Sequence, residues 1–277
     1  MASGVGITLE VDWDGDGNFA HANSDISSDV LTIEWSRGRD SASQLTGRAT
    51  AGELEARLKN EDNLYNSFNS GSALAGKIVP GLAVRLFLSS VSPEFAYTFP
   101  ITFPELDAAW RGYLDSLSPS FLRSGGKELT LRATGPLARI AARETAEVAV
   151  VTSTRTGAAI TLAINDADSS IPTSIDTGET TMTRWWTSAQ PALGAIRAIE
   201  ETEIGYVGES PSGEIVFESR QHRLQSPHYT SQATFSDAAD ASLTYAAIEQ
   251  IDPLADLYNT MSTAVQLYTV GGLATLW

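Results

Sequence analysis

Through the first half of the chain, apolar residues fall at every second position. In GITLEVDW they are Ile7, Leu9 and Val11, and in GELEARLK they are Leu54, Ala56 and Leu58; DVLTIEW repeats the pattern less strictly, with Val30, Ile33 and Trp35. A period of two marks strands with one buried face. GLAVRLFL, AAWRGYLDSL and KELTLRA continue the series, separated by turn-rich stretches such as NSFNSGSALAG. GPLARIAARE changes the period: Pro136 suits a first helical turn, and Leu137, Ile140 and Ala141 share a helical face. Short strands closed by a brief helix predict a β-barrel or sandwich domain over residues 1–145.

The second half mixes types, predicting an α+β module over residues 146–250. TGAAITLAINDA reads as a short helix and SSIPTSIDTGET as a polar loop. QPALGAIRAIEETE is the best helix, with Leu193, Ala195, Ile196 and Ile199 as its stripe, Pro191 at its start and Gly205 after its end. Glu200 and Glu201 are expected on its solvated face. IGYVGESPSGEIVFESR predicts a hairpin with Ile204, Tyr206, Ile215 and Phe217 as apolar positions and SPSG at the tip. Residues 251–277 return to strand alternation through Leu257, Met261, Val265, Leu267 and Val270, and are expected to rejoin a barrel. GLATLW stops within an apolar run, so a truncation before a carboxy-terminal extension is expected.

Composition narrows the function. A formal charge of −16 argues against gripping nucleic acid, which needs clustered Lys and Arg, and against stable binding to an anionic membrane. With no cysteine there is no disulfide, thiolate metal site or thiol nucleophile. MASGVGITLEVDWDGD has no basic start and no apolar core, so synthesis in a cytoplasm without a cleaved signal is expected.

Several segments together resemble the amino-terminal region of tail hub proteins (tail-associated or baseplate hub proteins) of long-tailed bacteriophages. They are WSRGR at Trp35–Arg39, LTGR at Leu45–Arg48, LKNEDNLYNSFN at Leu58–Asn69, Pro80–Gly81 and RGYLDSL at Arg111–Leu117. A later helix leading into a hairpin with Gly213, Ile215, Phe217 and Arg220 is similar to the second module of such hubs. The resemblance spans most of the chain. It implies β-barrel modules assembled as a homotrimer at the tail tip of a virion, made in the bacterial host cytoplasm. Such a ring joins the tail tube or distal tail protein to the tip, beside tape-measure and fibre proteins, and surrounds a channel through which genomic DNA only passes. Three copies would carry about −48 formal charges, three times −16, a field that repels DNA phosphates.

VDWDGDGNF raises a separate question. Asp12, Asp14, Asp16 and the carbonyl of Asn18 match the first ligand positions of a calcium loop. However, the twelfth position is Asn23 instead of a bidentate Glu, and a strand precedes the loop where an incoming helix is required. A tight turn is the primary reading and calcium the alternative.

Enzyme signatures are absent: there is no G-x-S-x-G elbow, P-loop or H-E-x-x-H, and the chain is read as non-enzymatic. His222, between Arg220 and Arg223, is expected at a surface or interface. Arg37, Arg39 and Arg48 stand out among 18 basic residues as partners for acids within the fold or on a neighbouring subunit. Trp185 and Trp186 must face opposite ways on a strand, one to the core and one as an interface anchor or sugar platform. Tyr97 and Phe99 share the sugar option. The competing readings are a six-fold distal tail ring protein and an extracellular calcium-dependent carbohydrate-binding module.

Overall fold

A computed structural model of the chain describes residues 5–39, 48–90, 107–121, 127–231, 235–236 and 243–244. Tyr97, Phe99 and the alternating segment from Leu257 to Val270 lie outside them. The chain divides into two compact units, Met1–Tyr229 and Thr230–Trp277. In the second, β14 (Phe235–Ser236) pairs in parallel with β15 (Leu243–Thr244).

The first unit is mainly β. Strands β1 (Val5–Val11), β2 (Val30–Gly38), β3 (Thr50–Lys59), β4 (Ala83–Ser90), β5 (Asp107–Phe121) and β6 (Lys127–Thr134) form one antiparallel sheet in the order β1-β4-β5-β6-β3-β2. Each strand stands where alternation predicts it. On β3, Leu54, Ala56 and Leu58 are buried while Glu53, Glu55 and Arg57 are exposed. Inward residues of β1, β3, β4, β5 and β6 meet in a single cluster, with Val30 and Ile33 of β2 packed against it, so the sheet curls around its core. Fully buried leucines such as Leu58, Leu86 and Leu131 each contribute about 1.5–3 kcal/mol.

The curl nearly becomes a barrel. The chain just before β2 pairs with the outer edge of β1: Val11 N–H donates to Ser24 O and Ile26 N–H to Leu9 O, both at 2.9 Å, flanking a bridge between Glu10 and Asp25. A 3-10 turn at Ser27–Asp29 then leads into β2. Among the described residues β1 and β2 do not themselves pair, so one corner is closed and the sheet stays open beyond it.

A second cluster gathers the elements after β6. Helix α1 (Pro136–Ala141) begins at Pro136 and buries Leu137 and Ile140, whereas Ala141 is exposed, because six residues present too little face to bury all three. Next come β7 (Glu144–Thr145), β8 (Val148–Arg155) and α2 (Thr156–Asp168). The expected polar loop contains β9 (Thr173–Ile175), a short strand parallel to a later one. Then follow β10 (Thr181–Thr187), β11 (Gln190–Pro191) and α3 (Ala192–Glu203). The hairpin is β12 (Tyr206–Glu209) with β13 (Ile215–Glu218), turning through Ser210–Gly213, and β13 takes β9 on its other side.

Ile204 departs from expectation. It is 78% exposed and caps α3 in the left-handed region at φ 55°, the place predicted for Gly205. Its N–H donates to Glu201 O and that of Gly205 to Glu200 O, so the turn spends Ile204 on helix termination and not on the hairpin core.

Candidate functional site

The three arginines singled out from sequence, Arg37 on β2 and Arg39 and Arg48 beyond the ends of β2 and β3, all reach the helix–hairpin part. Arg37 Nη1 donates to Glu209 O at 3.2 Å. The Arg39 guanidinium lies 4.3 Å from the centre of the Tyr206 ring. Arg48, exposed, pairs with Glu201. Arg39, Arg48, Tyr206, Arg220 and Arg223 line an open cleft of about 450 Å³, with Ile204 at its side. Glu200, Glu201 and Glu218 also line it, so four arginines stand here among three carboxylates.

Beneath the hairpin lies a carboxylate that the sequence reading missed. Glu209 is buried, and its oxygens accept the N–H groups of Gly52 at 2.8 Å and Leu137 at 2.6 Å. A side chain at either glycine of this joint would have to displace the Glu209 carboxylate: a Cβ on Gly52 would stand 2.7 Å from Glu209 Oε2, and one on Gly135 2.2 Å. Burial pushes the Glu209 carboxyl above the usual range, against the opposing pull of the two N–H donors and Arg37. Gly52 inside an otherwise regular strand pattern was the available signal, since a strand glycine marks close approach of other atoms.

Arg197 makes a second buried joint. It donates to Glu200 Oε2 at 2.7 Å, to Val207 O at 3.1 Å and to Ala49 O at 2.6 Å, while Val207 N–H donates to Glu200 Oε1. Glu200 is therefore interior, not solvated. Successive helical residues turn about 100°, which sends Glu200 inward with Ile196 and Ile199 and leaves Glu201 outside for Arg48. Glu203, also buried, receives the N–H groups of Glu179 and Thr180 and the Thr156 hydroxyl. Burial pulls its carboxyl upward, but these donors outweigh it and hold the pKa below the ordinary value.

The aspartate loop is a turn. Asp12 is buried and caps it, accepting from Gly15 N–H at 3.0 Å and Gly17 N–H at 2.7 Å, with Gly15 and Gly17 both at positive φ. Asp14 pairs with Lys77, whose hydrogen bond lowers its pKa, and Asp16 accepts from Asn18 N–H at 2.9 Å. The donors needed for a cation face separate partners and do not fit a shared ion. Among the described residues no three His, Asp or Glu side chains form a group able to hold a metal.

His222 sits beside Asp176, with Nδ1 2.9 Å from Oδ2, and its ring packs against His228 at 4.4 Å between centroids. Of the two adjacent tryptophans, Trp185 packs on the second cluster and Trp186 is 56% exposed. Among the described residues, no helix is long and apolar enough to cross a membrane.

No family model matches the chain, and no curated protein does. Solved structures of phage tail proteins are among those similar to it. One is the 43 kDa tail protein of prophage MuSo2 from Shewanella oneidensis, at 14% identity and a TM-score of 0.46, covering 76% of this chain and 53% of that one. Another is a tail protein from Neisseria meningitidis MC58, at 10% identity and a TM-score of 0.48, covering 77% and 51%. The chain spans about half the length of each.

Proposed function

We propose that the chain is a non-enzymatic structural subunit of a bacteriophage tail, forming a trimeric hub ring that links the tail tube or distal tail ring to the tip around the DNA channel. The observation that carries this reading is the joint between its two parts. A curled six-stranded module and a helix–hairpin module follow one another in the order the hub resemblance implies. They are bound together by Arg37, Arg39, Arg48 and the buried Glu209 rather than by a flexible linker. A rigid pair of modules suits a load-bearing ring. The formal charge of −16 per copy favours DNA passage over DNA retention.

Light scattering on the full chain, with symmetry read by electron microscopy, tests the proposal. Three copies around an axis are expected. A closed ring of six supports the distal tail ring instead, and a monomer that binds glycan in a calcium-dependent way overturns the tail reading.

A further inference from the structure

Strands β8 and β10 form a two-stranded ribbon, and among the described residues each pairs only with the other. Isolated two-stranded ribbons are marginal in water unless a face is covered. Here α2 packs against the ribbon, and Met182 and Trp185, on either side of the step opposite the left-handed Ser153, both join the second cluster. Much of the rest of the ribbon is bare. Val150 is 58% exposed and Trp186 56% exposed, and between them stand exposed Thr152 and Arg184, which face each other across the strands. The register breaks between Trp185 and Thr187, the step that holds Trp186.

The chemistry of this face is unusual for the molecule. VAVVTSTR and TMTRWWT contain no acidic residue, although the chain has 34 acidic residues in 277. Arg184 has no hydrogen bond or ion pair among the described residues. An exposed Trp and Arg on a patch depleted of acids is the composition of an interface core, not of ordinary surface.

A complementary patch lies on the outer face of β2 and β3. Glu34 stands directly opposite Glu55, and Glu53 opposite Ser36. Like charges facing across strands are destabilising. Glu55 is relieved by Arg132 Nε at 3.0 Å, but Glu34, exposed on the last strand of the sheet, has no cation among the described residues.

We propose that the β8–β10 ribbon of one copy docks on the β2–β3 edge of the next copy, with Arg184 meeting Glu34 and Trp186 burying its exposed ring. The partner is a second copy of this chain because the two patches are each other's complement in charge. Identical surfaces of a −16 protein otherwise repel. The two patches occupy different surfaces, so the contact is head-to-tail, the kind that generates a ring when the rotation closes. This inference rests on the ring assembly proposed above and supplies its interface.

Sedimentation velocity and light scattering on the full chain test it, using wild type, Arg184→Glu, Glu34→Arg, the two together, and Trp186→Ser. All three side chains are exposed, and circular dichroism checks that each variant folds. Wild type is expected to assemble. Each single charge reversal should weaken association about tenfold or more, the size of a close interfacial charge pair. The double reversal should restore it, and Trp186→Ser should weaken it. Assembly that is indifferent to the single reversals overturns the interface and leaves the tail reading standing. Single losses without recovery in the double variant also overturn the pairing. A wild-type monomer at every concentration overturns both.

Discussion

Removing the Glu209 carboxylate tests whether the two parts of the first unit are held as described. In Glu209→Ala the N–H groups of Gly52 and Leu137 lose their acceptor in a site closed to water. Each orphaned buried donor costs about 1–3 kcal/mol. Against this stands relief from burying a charge, already visible in the raised pKa. The net loss expected is about 2–4 kcal/mol. At about 2–4 °C per kcal/mol for a unit of this size, melting should fall by roughly 4–16 °C. Glu209→Gln keeps one acceptor oxygen and should lose about half as much.

Urea unfolding followed by circular dichroism, with a thermal melt, reads both variants. The pH dependence adds a sign that packing alone cannot supply. A carboxyl raised in the folded state lends stability that is complete below its unfolded pKa, about 4.3, and fades as pH climbs through the folded value. The gap between wild type and Glu209→Ala should therefore be wider near pH 5 than near pH 8. An Ala variant within about 0.5 kcal/mol of wild type, where surface substitutions fall, would refute the cradle. A gap that widens with rising pH would refute the burial argument.

Ile204→Gly should raise stability by about 1 kcal/mol, the cost of a side chain in the left-handed region; an unchanged or lower urea midpoint contradicts that cap. Glu203 is lowered in the folded state, so its contribution is present above its unfolded pKa and drains away as pH falls through the folded one. The stability gap between wild type and Glu203→Gln should thus shrink on acidification, as measured by unfolding midpoints from pH 6 down to about pH 3. Asp12→Ala should cost about 1–3 kcal/mol through the freed Gly15 and Gly17 N–H groups, with or without calcium. Titration calorimetry with millimolar calcium should give no binding heat, and a saturable heat lost in Asp12→Ala would restore the cation reading.

Local pattern was enough to place much of this molecule. Six strands announce themselves by an apolar period of two, and α3 by its stripe of Ala195, Ile196 and Ile199, because one-sided burial imposes its period directly on the chain. Pro136 and Gly213 mark a helix start and a hairpin tip through backbone restrictions that travel with the residue itself. VAVVTSTR has neither period, because burial along it does not alternate: Val148, Val151 and Thr154 are half-buried, the rest are exposed, and Ser153 breaks the strand geometry at φ 53°, so β8 is not legible without its partner strand. The destination of a polar group is less legible still. Nothing near Glu209 tells that Gly52 and Leu137, distant in sequence, will supply its donors, nor that Glu200 turns inward while Glu201 meets Arg48. A carboxylate can be tolerated in the interior only where donors converge, and convergence is a property of the assembled sheet and helices. Sequence alone therefore set the elements and their buried faces. The tertiary structure decided which charges became joints and which stayed exposed.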